Sequence, residues 1–302
     1  MIIPPDLKKG DAIGVVCPSG FMPIEKIQTC LDVLQQWGYH LKIGKTVGHQ
    51  FHYFAGTDEE RLSDLQTMLD DAEVKAILCA RGGYGLSRII DKINFTTFLQ
   101  NPKWIIGYSD ITVLHAHLNS VFHVASIHSP MASAFNNNGY QNEYVQSLKK
   151  VLQGECYQYT SSSNPFNKKG TATAELIGGN LALLAHLIGS VSDIDTNNKI
   201  LFIEDIGEYI YNIDRMMLQL KHAGKLDNLS GLIVGSFTDM KDTTIPFGQT
   251  IYECIYDTVK EYSYPVCFDF PVGHTDKNYP LKCGVHHLLS VEEDTVSLQE
   301  LS

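Results

Sequence analysis

The sequence predicts an α/β protein with two domains: an N-terminal parallel sheet with helices on both faces, and a smaller C-terminal α/β domain. Short apolar runs alternate with amphipathic segments through the first half, which is the pattern of strand–helix–strand units. Between about residues 150 and 172 the chain is rich in Ser, Asn, Lys and Gly and has no helical period. We therefore predict domains over residues 1–150 and 173–302, joined by a linker over 151–172 in which CYQYT is a candidate short strand.

The first half supplies its predicted elements in a regular order. Four apolar runs are predicted as strands: DAIGVVCPSG, YHLKIGKTV, VKAILCA and KWIIGYS. The amphipathic segments are predicted as helices: PIEKIQTCLDVLQQWG, TDEERLSDLQTMLDD, GLSRIIDKI and DITVLHAHLNSV. The second helix begins at a good N-cap, Thr57 or Asp58, with acidic residues in its first turn. Alternation of this kind implies right-handed crossovers and a mostly parallel sheet, in which ligands bind beyond the carboxyl ends of the strands.

The second half begins with ELIGGNLALLAHLIGS, which we interpret as a Gly-Gly turn that leads into an apolar helix. Strands are then predicted at NKILFIED, LSGLIVGSF and PVCFDFPVGH, and helices at IDRMMLQLKHAGKL and TIYECIYDTVKEY. The segments HHLLSVEED and TVSLQEL are typical of a terminal strand pair. Together they indicate a second α/β domain.

Composition and charge exclude several classes of protein. The chain has 302 residues, of which 44% are hydrophobic and 19% charged, as in an ordinary globular protein. A net charge of −11 argues against a nucleic-acid partner. No apolar run approaches the roughly 18 residues that a membrane span needs, and the first residues lack the features of a signal peptide. We therefore expect a cytoplasmic protein with no membrane partner.

The cysteine pattern argues against a disulfide framework and against a zinc site. The seven cysteines are widely spaced, and none forms a C-x-x-C pair. Most lie in apolar, strand-like contexts such as AILCA and PVCFDF, as reduced core residues do. We expect no metal and no cofactor.

The segment PKWIIGYSDITVLHAHLNSV raises the main chemical question. It predicts a strand, a tight turn at GYSD and then a helix. We expect Ser109 to cap this helix, and the open question is whether it also acts as a nucleophile, since a serine can do both. A nucleophilic serine needs a base, an orienting acid and an oxyanion site elsewhere in the chain.

The segment ARGGYG, between a strand and a helix, has three interpretations. It could cradle a phosphate at a helix N-terminus, although it matches neither G-x-G-x-x-G nor a Walker loop. It could expose backbone N–H groups to an oxyanion, or it could be a plain turn.

An acid and a histidine also lie at strand-to-loop junctions. Glu204 directly follows the apolar run ILFI, so it should be the least solvated acid of its segment, which also contains Asp205 and Glu208. His274 follows a strand and a glycine in FPVGHTDKNYPLKCG, which should expose its imidazole at the sheet edge. The order Ser109, Glu204, His274 matches that of α/β-hydrolases, but their G-x-S-x-G motif is missing.

With these residues in place, the sequence resembles the LD-carboxypeptidase family of serine peptidases, which includes muropeptide-recycling enzymes and microcin-C self-immunity peptidases. The resemblance covers nearly the whole chain. Its markers are GDAIGVVCPSG, FAGTDEERLSDL, ARGGYG, IIGYSDIT, HSPM, IGGNLALL, LFIEDIGE, IDRMMLQLKHAG and VGHTDKNYPLKCG.

The resemblance implies a role for each candidate. Ser109 would be the nucleophile, His274 the base and Glu204 the acid that orients it, and backbone N–H groups of Asp110 and of Gly82-Gly83 would form the oxyanion hole. It also implies a flavodoxin-like first domain, a triad gathered between the domains, a muropeptide substrate and a homodimer. Motif positions add candidates for substrate binding: Arg81, Tyr108, Glu208 and Arg215.

The chain departs from the family at two places, and alternatives stay open. It reads HSPM where many members read HGPM, and the loop after His274 ends in NYPLKCG rather than a Thr/Leu-rich version. Both departures could reshape the substrate pocket. The alternatives are a self-immunity-type peptidase that cleaves aminoacyl-nucleotide conjugates, a non-catalytic small-molecule-binding protein and a nucleotide enzyme that uses ARGGYG.

Overall fold

The computed structural model describes residues 1–301 and divides the chain into two compact units. The first unit comprises Met1–Glu155 together with Tyr279–Lys282, and the second comprises Cys156–Asn278 with the residues from Cys283 onward. The first unit therefore includes a short segment from late in the sequence, which the predicted boundaries assign to the C-terminal domain.

The first unit is built on a six-stranded sheet in the order β11-β5-β4-β3-β1-β2. Strand β1 pairs in parallel with β2 and β3, and β3, β4 and β5 continue the parallel series. Without β11 this is the 2-1-3-4-5 order of flavodoxin-like sheets, so the predicted fold class is confirmed. Its strands are β1 Ala12–Val16, β2 His40–Ile43, β3 Val74–Cys79, β4 Trp104–Gly107, β5 Ser126–His128 and β11 Leu281–Cys283.

Five helices accompany this sheet: α1 Gln28–Gln36, α2 Asp58–Asp70, α3 Thr96–Gln100, α4 Thr112–His117 and α5 Glu143–Leu152. Thr57 caps α2 through a capping box with Glu60, as one of the two predicted N-caps. The helix predicted at GLSRIIDKI is wrong, because this segment forms two 3-10 turns instead. Ile89, between them, leaves the helical region with φ −121 and ψ −15, which ends the first turn.

The second unit is built on a seven-stranded mixed sheet in the order β10-β9-β8-β7-β12-β13-β6. Strands β7 to β10 pair in parallel, whereas β7, β12, β13 and β6 pair antiparallel, with the expected terminal pair as β12 and β13. The strands are β6 Gln158–Ser162, β7 Gly170–Asn180, β8 Ile200–Ile206, β9 Gly231–Thr238, β10 Val266–Phe268, β12 His286–Val291 and β13 Thr295–Glu300. Its helices are α6 Leu181–Leu187, α7 Ile210–His222 and α8 Ile251–Val259.

Two segments near the start of this unit differ from the prediction. The predicted Gly-Gly turn is wrong, since Gly178 and Gly179 lie inside strand β7. A Cβ at Gly178 would lie 2.0 Å from the Phe202 carbonyl oxygen, so glycine is needed for the close approach of β7 to β8. Residues 151–172, predicted as a linker, contain the end of α5 and the edge strand β6, which overlaps the candidate strand CYQYT.

The cysteines and helices add two findings. All seven cysteines are free thiols, and all except Cys156 are buried. None of the helices within residues 1–301 has the length and hydrophobicity that a bilayer crossing requires.

Candidate active site

Ser109 lies directly beyond the carboxyl end of β4, in a strained backbone conformation. Its φ is +65, the left-handed region that a non-glycine residue occupies at a cost of about 1 kcal/mol or more. It is the first residue of a 3-10 turn that leads into α4, and the N-cap of this turn is Tyr108, with no capping side-chain hydrogen bond. The interpretation of Ser109 as a helix cap is therefore wrong, and the turn presents the serine at the sheet edge instead.

The Gly82-Gly83 turn approaches this serine closely. A Cβ at Gly82 would lie 2.9 Å from Ser109 Cβ and 3.2 Å from Ser109 Oγ, so no side chain fits there. The Gly82 carbonyl accepts a hydrogen bond from the Gly20 N–H at 3.0 Å, which joins the loops that follow β1 and β3. The structure thus brings the glycine turn and the serine together, as expected of groups at the carboxyl edge of one parallel sheet.

The backbone just before Ser109 is held from two sides. The Gly107 carbonyl accepts hydrogen bonds from His115 Nε2 at 2.8 Å and from the Ser129 N–H at 3.1 Å. Burial lowers the pKa of His115 to about 4, and the hydrogen bond to Gly107 only partly opposes this effect. His115 is therefore a neutral donor at physiological pH. The sequence carries no signal for this role, because His115 lies inside the predicted helical segment DITVLHAHLNSV.

In the second unit, His274 and Glu204 form a directly hydrogen-bonded pair. His274 Nδ1 donates to Glu204 Oε2 at 2.6 Å. The Glu204 side chain is completely buried, as its position after an apolar run predicted, and the His274 side chain is 12% exposed. With the Nδ1 hydrogen directed at Glu204, the neutral imidazole carries its lone pair on Nε2. That is the tautomer that a general base requires.

A β-bulge aims Glu204 at the histidine. The register between β8 and β9 shifts after Ile203, so that Gly235 and Ser236 together lie opposite Glu204. On the other side, Gly273 has φ +124, and a Cβ there would lie 2.5 Å from Ser236 Oγ and 2.8 Å from Glu204 Cβ. Only glycine allows this contact, and it places the following residue, His274, beside the carboxylate.

Three polar side chains hold the His274 turn. Ser236 Oγ donates to the Val272 carbonyl at 3.1 Å, and the buried Asn278 accepts the Gly273 N–H at 3.0 Å. Thr238 Oγ1 donates to the His274 carbonyl at 3.2 Å. Asn278 lies in the loop NYPLKCG, noted above as a departure from the family.

Two opposing effects set the protonation of His274. Burial is the largest and lowers its pKa, but the hydrogen bond from His274 to Glu204 and the charges of Glu204 and Asp205 outweigh burial, so the net pKa is raised. A raised pKa means that Glu204 stabilises the imidazolium, which is the charge that forms when a histidine takes a proton from a serine.

Asp205, next to Glu204, serves the framework. It accepts hydrogen bonds from Asn180 Nδ2 and from the Ala182 N–H, both at 2.9 Å. Burial raises the pKa of Asp205 to about 6, the charge of Glu204 adds to this effect, and these hydrogen bonds oppose it. Because Asn180 caps α6, Asp205 ties the end of β8 to the start of that helix.

The four substrate-binding candidates have different surroundings. In the first unit, Arg81 is exposed beside the glycine turn, with Met22 Sδ 3.9 Å from its guanidinium, and Tyr108 packs near His128. In the second unit, Glu208 accepts a hydrogen bond from Asn212 at 2.8 Å. Arg215 also binds Asn212 and lies over Tyr211 rather than pairing with Glu208.

Each unit thus carries one side-chain arrangement that acyl transfer through a serine could use. The first has a strained serine beside a glycine turn, and the second has a histidine held by a buried carboxylate. Within residues 1–301, no group of three or more His, Cys, Asp or Glu side chains is placed to hold a metal ion.

Comparison with known families identifies the chain. Residues 13–129 match the model of the LD-carboxypeptidase N-terminal domain, and residues 173–289 match that of the LD-carboxypeptidase C-terminal domain. The chain belongs to the LD-carboxypeptidase family. It is a serine-type carboxypeptidase, a hydrolase of peptide bonds.

Members of the family match this chain along nearly its full length. A probable murein peptide carboxypeptidase of Bacillus subtilis (strain 168) is 36% identical over 301 residues, which cover 98% of this chain and 94% of that protein. The crystal structure of muramoyltetrapeptide carboxypeptidase from Oxalobacter formigenes has a TM-score of 0.87 at 26% identity and covers 96% of this chain and 99% of that one.

A structure of the microcin C7 self immunity protein MccF in complex with aspartyl sulfamoyl adenosine is also similar. Its TM-score is 0.87 at 24% identity, over 100% of this chain and 99% of that one. At this identity the likeness shows a shared fold alone.

Proposed function

We propose that this LD-carboxypeptidase hydrolyses the L,D amide before the C-terminal D-alanine of muropeptide tetrapeptides, through Ser109, His274 and Glu204. The observation that carries the mechanism is the 2.6 Å hydrogen bond from His274 Nδ1 to the fully buried Glu204. A buried carboxylate in this position fixes the tautomer of the base and stabilises the imidazolium. The similarity to a murein peptide carboxypeptidase and to a muramoyltetrapeptide carboxypeptidase supports the substrate class.

The proposed reaction has two steps. Ser109 Oγ attacks the amide carbonyl carbon while His274 Nε2 takes the hydroxyl proton, and the imidazolium then gives this proton to the leaving amine of D-alanine. The resulting acyl-enzyme ester is attacked by water, whose proton passes to His274 and then to Ser109 Oγ as the shortened peptide leaves as a carboxylic acid.

The oxyanion of both tetrahedral intermediates needs hydrogen-bond donors beside Ser109. We assign this role to the backbone N–H groups of Asp110 and of the Gly82-Gly83 turn. The support is the close approach of Gly82 to Ser109, which leaves backbone rather than side chain next to the reacting oxygen.

A carboxypeptidase must also hold the terminal carboxylate of its substrate. We assign this role to Arg81, because its guanidinium is exposed next to the glycine turn, whereas Arg215 is already engaged with Asn212 and Tyr211. Tyr108 and Glu208 remain candidates for contacts with the rest of the peptide. The proposal places the reaction in the cytoplasm, during peptidoglycan recycling, and takes the enzyme as a homodimer.

The test is D-alanine release from L-Ala-γ-D-Glu-L-Lys-D-Ala and from its diaminopimelate version, with EDTA present. Wild type should release D-alanine, and Ser109→Ala should lose about 10⁴-fold or more in kcat. Equal release by both proteins would contradict the serine mechanism. No release from either peptide by folded wild type, with cleavage of a peptidyl-nucleotide conjugate instead, would replace the muropeptide by the second substrate class.

A further inference from the structure

The buried carboxylate of Asp110 connects three loops of the first unit. Ser19 Oγ, in the loop after β1, donates to Asp110 Oδ2 at 2.6 Å. The Leu86 N–H, in the loop after β3, donates to the same oxygen at 2.9 Å. Asp110 itself directly follows Ser109, and both Asp110 and Ser19 are completely buried. The turn after β4 is therefore joined to the two loops that flank it.

A buried arginine joins two of these loops a second time. Arg61, on α2, is completely buried, and its Nη1 donates to the Pro18 carbonyl at 2.6 Å and to the Gly85 carbonyl at 3.1 Å. Its Nη2 binds Asp58, which is also paired with Arg88 at the surface. A guanidinium suits this position because it offers several donors in one rigid plane.

Burial and hydrogen bonding act in opposite directions on the Asp110 carboxyl group. Burial is the largest effect and leaves the pKa of Asp110 above its ordinary value, while the hydrogen bonds from Ser19 and Leu86 and the charge of Arg61 stabilise the carboxylate and limit this rise. Hydrogen bonds to a buried charged group are stronger than neutral ones, so these contacts resist movement of the turn.

We propose that Ser19, Asp110 and Arg61 are positioning residues that hold the oxyanion donors in place. The left-handed backbone conformation of Ser109 costs free energy, so contacts with surrounding residues must hold the turn in it. The Asp110 carboxylate supplies this restraint at the residue whose N–H is one proposed donor. Its second partner, Leu86, follows Gly82 and Gly83 in the same loop, so one carboxylate positions both sets of donors. This inference rests on the proposed function.

The cluster also accounts for three family motifs that the triad leaves unexplained. Ser19 belongs to GDAIGVVCPSG, Arg61 to FAGTDEERLSDL, and Leu86 directly follows ARGGYG. None of these residues is assigned to the acyl transfer itself, and all of them meet at the turn that carries the nucleophile.

The test compares Ser19→Ala with Ser87→Ala. Ser87 Oγ is buried and has no hydrogen-bond partner within residues 1–301, so its removal is a matched control two positions from Gly85. We expect Ser19→Ala to lower kcat for the tetrapeptide by about 10- to 100-fold with little change in KM, less than the loss of an oxyanion donor itself. Ser19→Thr, which keeps the hydroxyl, should restore most of kcat. Ser87→Ala should keep the wild-type kcat.

A fluorophosphonate that acylates serine nucleophiles gives a second readout that does not depend on the substrate. Its rate of reaction with Ser109 should fall in Ser19→Ala and in Asp110→Asn, but not in Ser87→Ala, at equal thermal stability. If Ser19→Ala keeps both the labelling rate and kcat of the control, the positioning role is wrong. If wild type reacts with the probe but releases no D-alanine, the substrate is wrong and the labelling comparison still decides the role of Ser19.

Discussion

The turn that carries Ser109, the proposed nucleophile, and the turn that carries His274, the proposed base, place a side chain beyond a strand end in different ways. We call them the nucleophile turn and the base turn. Each turn follows the end of a parallel strand, and each has a glycine packed too closely for a side chain to fit. They differ in which residue has a positive φ. In the first unit this residue is Ser109 itself, with φ +65. In the second it is Gly273, with φ +124, which leaves His274 outside the left-handed region. A glycine takes such a conformation without the Cβ penalty, so the base turn needs less support.

The polar contacts that hold the two turns differ accordingly. The strained serine is surrounded by buried polar groups that bind the backbone before it and the carboxylate after it. The histidine depends on one short hydrogen bond to Glu204 and on neutral contacts to its loop. A reactive side chain can thus be oriented by a left-handed conformation of its own residue or of a neighbouring glycine. The left-handed serine requires the larger network of polar contacts.

Among changes to the residues that support the two turns, the largest expected effect comes from Glu204→Gln, which removes the charge beside His274, the proposed base. We expect kcat to fall by about 10³- to 10⁴-fold, because the imidazolium loses its counter-charge and the tautomer is no longer fixed. In wild type the rising limb of kcat/KM should lie above the ordinary histidine pKa of 6.5. In the variant it should move to lower pH, because only the weaker effect of the Asp205 charge then opposes burial. A pH–rate profile checks both, and a limb that stays in place would contradict the assignment of His274 as the base.

Gly273→Ala should lower both activity and stability. The new Cβ would lie 2.5 Å from Ser236 Oγ and 2.8 Å from Glu204 Cβ, in a backbone conformation that alanine avoids. We expect a loss of about 10²- to 10³-fold in kcat and of about 2 kcal/mol or more in the free energy of unfolding. Gly189→Ala is the matched control: its φ is +84 and nothing lies within 4 Å of its Cβ. It should lose stability alone, and equal kcat in the two variants would show that the contact with Glu204 is unimportant.

Gly82→Ala should lower activity more than stability, whereas the control Gly189→Ala should lower stability alone. Its backbone is outside the left-handed region, so alanine is not strained there, but the new Cβ would lie 2.9 Å from Ser109 Cβ. We expect kcat to fall by about 10²-fold, because the serine or the donors must shift, with a smaller change in melting temperature than Gly273→Ala shows. Steady-state kinetics and thermal melting check this, and a larger melting-temperature loss than that of Gly273→Ala would reverse the comparison.

The sequence predicted the parts of this molecule that depend on local patterns. The apolar run before Glu204 predicted its burial, and strand–helix alternation predicted the parallel sheet of the first unit. Features that depend on distant residues were missed. The bond from Ser19 to Asp110 joins residues 91 positions apart, and the bulge opposite Glu204 depends on strand register. Ser109 was misread as a helix cap because serine favours caps, whereas here tertiary contacts hold it in a left-handed conformation.

The smallest effect, and the sharpest check on the second unit, should come from Asp205→Asn. Asp205 has the smallest effect among the groups that raise the pKa of His274. The rising limb of kcat/KM in the variant should therefore move to lower pH by less than in Glu204→Gln, with kcat within about threefold of wild type.

The same variant tests how Asp205 affects stability. The pKa of Asp205 is raised from 3.8 to about 6 in the folded protein, so the folded state binds a proton at Asp205 more readily than the unfolded chain. This group therefore favours folding at low pH, and the benefit is lost as pH rises from about 4 to 6. Urea unfolding of wild type and Asp205→Asn from about pH 4 to 6 should show the free energy of unfolding of wild type falling relative to that of the variant. If the difference between the two proteins does not change with pH, Asp205 keeps an ordinary pKa, and its hydrogen bonds to Asn180 and Ala182 fully offset its burial.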